Sequence, residues 1–169
     1  TGEGNVISLG SFSKILAPGL RLGWIQTDKA RIQALVGSGL LDSGGGMNPF
    51  TSAMVRDLLE SGELQVNIQE LCTEYHQRLI TMDAALRPYF PSATYRRPEG
   101  GYFFWIRLPG DADALDQLNR ARGYQVSYQP GVHFSSQGGL HAYARLCFAY
   151  YKADELEQGV QRLGKVFER

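Results

Sequence analysis

Apolar residues recur every three to four positions after Gly62: Leu64, Ile68, Leu71, Tyr75, Leu79, Met82 and Leu86. That spacing predicts one long amphipathic helix from Glu63, stopped by Pro88 and Pro91. At 1.5 Å per residue it measures roughly 35 Å. Such a length exceeds one compact layer, so the helix is expected to bridge two domains, residues 1–62 and 63–169. Ahead of it the runs are short. Residues 5–9 read as a strand ending at Gly10, and residues 22–25 as a second strand closed by Asp28. A strand that begins almost at the first residue suggests a chain entering inside a fold. Ile32, Leu35 and Val36 predict a helix over 30–37, and residues 42–46 a flexible loop. Asn48-Pro49 predicts a helix start, with Asn accepting from free backbone N–H groups, and that helix runs to Leu59. Beyond Pro91 the pattern predicts a strand over 102–108, a helix over 111–122 capped by Asp111, and strands over 124–128 and 143–150. A final helix from Asp154 sets Leu156, Val160, Leu163 and Phe167 on one face. The part after the long helix is therefore a small α+β unit.

Composition narrows the classes. The 169 residues are 43% hydrophobic, enough for a real core, and 17 basic side chains balance 17 acidic ones. A neutral chain lacks the broad positive footprint of a nucleic-acid or anionic-lipid binder. The longest apolar run, residues 102–106, is strand-length and far short of the about 20 residues a membrane helix needs. The first residues show no signal-peptide pattern. Cys72 and Cys147 stand in unlike contexts, which argues against a disulfide framework and fits a reducing cytoplasm. There is no CxxC, and His76, His133 and His141 lack ligand spacing, so no metal site is expected. The histidines read as ordinary surface or core residues.

Candidate chemistry concentrates between the first two strands, in Ser11-Phe12-Ser13-Lys14-Ile15-Leu16-Ala17-Pro18-Gly19-Leu20-Arg21-Leu22-Gly23-Trp24. Ser11 and Ser13 flank Lys14, and Arg21 follows across a Pro-Gly turn. Hydroxyls and a guanidinium fork suit a phosphate. An ammonium desolvated beside another cation gives up its proton more readily and becomes a nucleophile. A nucleophilic lysine beside a phosphate cradle is what a pyridoxal phosphate site requires. The plainer alternative is a surface lysine and arginine around a turn. Arg145 stands out in the opposite way. It sits mid-strand among apolar residues with no acidic neighbour in sequence. Either a distant carboxylate of the protein or a ligand carboxylate must satisfy it.

The form Ser-Phe-Ser-Lys-x-x-x-x-Gly-Leu-Arg-x-Gly-Trp resembles the cofactor-lysine region of the class I/II aminotransferases, fold-type-I pyridoxal phosphate enzymes. It looks like the branch containing 2-aminoadipate and kynurenine aminotransferases. Pro98-Glu99-Gly100-Gly101-Tyr102-Phe103-Phe104-Trp105-Ile106 is similar to that family's Gly-Gly-x-Phe-x-Trp strand. Gln129-Pro130-Gly131-Val132-His133-Phe134 is similar to its Pro-Gly-x-x-Phe turn, and Ala144-Arg145-Leu146-Cys147-Phe148-Ala149 to its Arg-Leu-x-Phe strand. The resemblance implies an α/β fold of which this chain carries the C-terminal half: the end of the large α/β domain, then the small α+β domain. It implies Lys14 as the Schiff-base lysine, Ser11, Ser13 and Arg21 as ligands of the pyridoxal 5'-phosphate phosphate group, and Arg145 as the grip on the substrate α-carboxylate. It further implies transamination between an α-amino acid and a 2-oxo acid in a cytoplasmic homodimer. Residues 43–48 then either reach the neighbouring subunit's site or form a plain flexible loop. The family's partner for the pyridine nitrogen and its ring-stacking aromatic have no counterpart in this stretch. Rival readings keep the likeness and change the role. One is the aminotransferase-like sensor domain of a winged-helix transcription regulator, whose nucleic-acid contacts would lie in an upstream domain. Another is a different pyridoxal phosphate reaction on an amino acid, and the blandest is a binding domain with no cofactor.

Overall fold

A computed structural model describes residues 6–39, 41 and 47–168. The predicted strand start at Asn5, the loop 42–46 and most of 43–48 lie outside the described residues. The chain divides into two compact units, residues 1–72 and 73–169, and the division falls within the long helix.

In the first unit, β1 (Ser8–Ser11) pairs antiparallel with β2 (Gly23–Gln26), Ser11 opposite Gly23 and Gly10 opposite Trp24. The first strand begins three residues later and ends two residues later than its predicted span 5–9, because pairing with β2 extends through Gly10 to Ser11. Gly10 is required there: a Cβ would stand 2.0 Å from the Trp24 ring. Helix α1 (Lys29–Val36) is capped by the Asp28 carboxylate, which accepts from the Arg31 N–H. Helix α2 (Pro49–Glu60) starts where Asn48-Pro49 predicts, but Asn48 makes no side-chain cap. Its amide is spent elsewhere, donating to the Leu20 carbonyl at 3.2 Å. Phe12, Val55 and Leu64 form the buried centre, with Ile15, Leu16, Leu20, Leu22, Leu58 and Ile68 half-buried around it.

Helix α3 (Glu63–Tyr89) follows the predicted stripe: Leu64, Leu79, Met82 and Leu86 are buried, and Ile68, Leu71 and Tyr75 half-buried. It continues one residue past Pro88. Pro88 stands in the last turn, where its missing N–H costs one bond at an exposed face.

The second unit is a four-stranded antiparallel sheet, ordered β3 (Thr94–Tyr95), β4 (Phe103–Arg107), β6 (Tyr143–Cys147), β5 (Gln129–Pro130). Strand β3 carries no recognisable sequence signal. Alternation is strict on the two central strands: Phe104, Ile106, Ala144 and Leu146 are buried, whereas Phe103, Trp105, Tyr143, Arg145 and Cys147 share the other face. The core joins the buried set to α3 and to α5 (Ala153–Phe167) through Leu156, Val160, Leu163 and Val166. Close approach of α5 to the end of α3 needs Gly164, whose Cβ would stand 1.9 Å from the Tyr89 carbonyl oxygen.

Between the central strands three expectations fail. The helix predicted over 111–122 shrinks to α4 (Leu118–Gly123). Asp111 does not cap it: its backbone is left-handed at φ 53, and its carboxylate pairs with Arg107 at 2.8 and 3.1 Å. Asp113 takes a local capping role instead, accepting from the Leu115 and Asp116 N–H groups. Residues 124–128 are not a strand. Gln125 turns left-handed at φ 57, and the Val126 N–H bonds back to the Ala121 carbonyl, closing α4. Strand β6 stops at Cys147 instead of reaching Tyr150.

Candidate active site

Lys14 rides on the connection between β1 and β2. Buried Phe12 anchors this stretch, packing on Trp24 with ring centroids 4.7 Å apart. The Phe12 N–H bonds to the Leu22 carbonyl, and its own carbonyl accepts from both Leu16 and Ala17 N–H groups. These bonds close one tight turn over residues 12–16 and leave Lys14 exposed on it. Ser11 ends β1 with its hydroxyl oxygen accepting from the Ser13 N–H at 3.1 Å. Arg21 follows the 3-10 turn Pro18–Leu20 in a left-handed conformation (φ 50), and its Nη1 donates to the Pro18 carbonyl at 3.1 Å.

Two amides that sequence reasoning misses tether this connection. Asn67 of α3 donates from Nδ2 to the Ile15 carbonyl at 2.8 Å, one residue from Lys14, and Asn48 holds the Leu20 carbonyl, one residue from Arg21. A primary amine, two hydroxyls and a guanidinium thus share one short, pinned connection. That donor set fits a phosphorylated aldehyde: amine for the carbonyl carbon, hydroxyls and guanidinium for the phosphate.

Arg145 belongs to the second unit, centrally placed on β6, opposite Trp105 of β4 and Gln129 of β5. It is half-buried, and its guanidinium carbon lies 4.0 Å from the Phe103 ring centroid and 4.6 Å from that of Phe134. Among the described residues no carboxylate pairs with it. Of the two sources of a counter-charge that the sequence leaves open, the protein's own carboxylates do not supply it among those residues. Tyr128 is core, donating its hydroxyl to the Ala114 carbonyl at 2.8 Å. Phe134 stands over Arg145, and Tyr143 stacks on Trp105. His141 is exposed and pairs through Nδ1 with Asp113 at 2.9 Å.

The lysine-bearing connection belongs to the first unit and the arginine-centred sheet to the second, and comparison with known proteins identifies the family. The family model for aminotransferase class I and II matches residues 1–163, and the chain belongs to that family. Aromatic-amino-acid aminotransferase 1 of Thermococcus litoralis is 33% identical over 168 residues, covering 98% of this chain and 40% of the relative. The crystal structure of kynurenine aminotransferase from Pyrococcus horikoshii superposes with a TM-score of 0.87 at 34% identity, over 98% of this chain and 41% of that one. That of LysN, the α-aminoadipate aminotransferase of Thermus thermophilus complexed with N-(5'-phosphopyridoxyl)-L-leucine, gives 0.78 at 30% identity, over 95% and 41%. Curated relatives also include uncharacterized HTH-type transcriptional regulators of Escherichia coli and Bacillus subtilis, 24–30% identical. The chain spans about two fifths of the length of the aminotransferases it matches. Its mixed helices and sheets are the α/β fold of those enzymes, and the family is dependent on pyridoxal 5'-phosphate.

Proposed function

We propose that the protein carrying this chain is a pyridoxal 5'-phosphate-dependent aminotransferase that moves an amino group between an α-amino acid and a 2-oxo acid. The observation that carries the reading is the exposed Lys14 on a connection it shares with Ser11, Ser13 and Arg21, held by Asn67 at Ile15 and by Asn48 at Leu20. In this reading Ser11, Ser13 and Arg21 hold the cofactor phosphate, and Lys14 Nζ is the covalent attachment. The bound cofactor supplies an electron sink that acidifies the substrate Cα–H bond. Lys14 Nζ takes that proton as general base and later gives it up as general acid. Arg145 grips the α-carboxylate through in-plane N–H donors and so fixes the direction of the Cα–H bond. Residues 1–62 then belong to the large cofactor domain, and 63–169 to the bridging helix and small domain. By the same family likeness the complete protein is a homodimer working in cytoplasmic amino acid metabolism. No described helix is long and apolar enough to cross a membrane.

The test is Lys14→Ala in the complete protein. Wild type is expected to show the absorbance of lysine-bound cofactor and amino-acid-dependent turnover, and the variant neither. Undiminished turnover by the variant would sink the reading. The 169-residue chain alone is expected to be inactive, because the partners of the pyridine ring have no counterpart in it. The regulator-like relatives support a second reading, a cofactor-dependent sensor domain. It predicts that the complete protein binds DNA through a winged-helix module and gives no turnover with any amino acid.

A further inference from the structure

The setting of Arg145 bears on which anions it accepts. Phe103 reaches its guanidinium from β4, and Phe134 from the 3-10 turn Gly131–Phe134. Both rings are themselves partly open, at 38% and 44% exposure, so neither is simply core packing. Trp105 supports the Phe134 ring edge-on at 5.6 Å, and Tyr143 stacks on Trp105 at the same distance. The turn bearing Phe134 is pressed tightly to the sheet: a Cβ on Gly131 would stand 2.3 Å from the Leu140 carbonyl oxygen and 2.8 Å from the Tyr143 Cβ.

A guanidinium is flat, and its five N–H donors point outward in its own plane. A ring over the central carbon covers a face, attracts the cation through its negative π-cloud, and uses none of those donors. The two rings hold the guanidinium carbon, and among the described residues no hydrogen bond or ion pair takes up its N–H donors. We propose that Phe103 and Phe134 are positioning residues that make Arg145 selective for planar carboxylates over tetrahedral oxyanions. This deepens the carboxylate role given to Arg145 above and rests on it. A carboxylate accepts two parallel N–H bonds with every heavy atom near the guanidinium plane. A phosphonate or sulfonate that pairs two oxygens in the same way keeps a third out of that plane. On the ring side, that oxygen meets a π-face of its own sign.

The experiment compares leucine with its α-aminophosphonate analogue in the complete, cofactor-loaded protein, reading binding from the change in cofactor absorbance. Wild type is expected to prefer leucine by at least about tenfold, the scale of one to two well-placed cation–π contacts. Phe103→Leu and Phe134→Leu keep an apolar side chain but lose the π-cloud. They should cut the preference to about threefold or less and raise KM for leucine more than they lower kcat. Phe103→Tyr and Phe134→Tyr should restore both. An unchanged preference in the leucine variants would overturn the proposal. A second measurement needs neither cofactor nor substrate. In the 169-residue chain the Arg145 Hε proton should resonate upfield of the other arginines, keep that shift in Phe134→Tyr, show it reduced in Phe134→Leu, where the Phe103 ring remains, and lose it when Phe103→Leu is added. An unshifted signal overturns the positioning itself. A shifted signal with no amino-acid binding by the complete protein overturns the functional reading, and the selectivity with it.

Discussion

Arg21 holds an uncommon backbone conformation for its residue type. Its φ of 50 and ψ of 43 lie in the left-handed region, which costs a non-glycine residue about 1 kcal/mol or more. The local return is one hydrogen bond to Pro18 on an exposed turn, worth about as much at best. Glycine would take the same conformation without strain, although it would add entropy to the unfolded chain. Stability alone therefore gives little reason for arginine here, while a phosphate ligand gives a direct one. Arg21→Gly is expected to leave urea stability within about 1 kcal/mol of wild type. In the complete protein it should weaken pyridoxal 5'-phosphate affinity by about ten- to a hundredfold, the cost of lost hydrogen bonds to a charged group. A large stability loss with unchanged cofactor affinity would make Arg21 a scaffold residue. The same scale shows what a sequence can disclose. Ser11, Ser13, Lys14 and Arg21 are legible because they fall within eleven consecutive positions. Asn67 is not, since its partner carbonyl at Ile15 is 52 residues away and nothing in a helical stripe marks a half-buried amide as a tether. Phe103 and Phe134 read as strand and turn residues until the fold sets both over one guanidinium.

At the level of elements, periodicity carried over long runs translates directly into structure. The stripes of α3 and α5, and the alternation of β4 and β6, follow burial position by position. The stretch between β4 and β6 does not, because its course is set by local backbone turns at Asp111 and Gln125 that the apolar pattern does not encode. A consequence of that irregular path is the burial of Tyr128, whose hydroxyl reaches back to Ala114 where a strand had been expected. Burial, aided by the nearby Asp113 carboxylate, pushes the phenol up to about 12. Its unfolded counterpart titrates near 10. The folded state thus keeps a proton that the unfolded state loses. The stabilisation is fully present below about pH 10 and drains away as pH rises toward about 12. Tyr128→Phe should make the chain less stable at pH 8 by about 1 kcal/mol, the worth of one buried hydrogen bond. It should also flatten the fall in urea stability between pH 10 and 11.5. Tyr95, likewise raised, chiefly by burial, keeps part of that slope in both proteins. An identical slope with and without the Tyr128 hydroxyl would refute the assignment.

For the whole molecule, the decisive fact is the unequal size of the two cores. Among the described residues, the first unit centres on Phe12, Val55 and Leu64, whereas the second buries eighteen side chains in one cluster. The first unit also leaves Leu9 of its two-stranded sheet largely, and Ile25 nearly half, in water. Buried apolar area is the main favourable term in folding, at about 25 cal/mol per Å², so the units differ in what holds them. A chain built this way need not unfold in one step. Its two tryptophans report on the halves separately, Trp24 from β2 against Phe12 and Trp105 from β4 against Tyr143. Trp105→Phe leaves fluorescence from the first unit, and Trp24→Phe from the second. In urea, the Trp24 signal is expected to change at a lower midpoint than the Trp105 signal, and far-UV circular dichroism should lose helix in two phases, since α3 runs through both units. Superimposed transitions from both variants and from dichroism would show a single cooperative unit and refute the division. If the midpoints separate, the unit bearing Lys14 is the less stable one, and the covalent chemistry proposed for it draws on support that these 169 residues do not themselves provide.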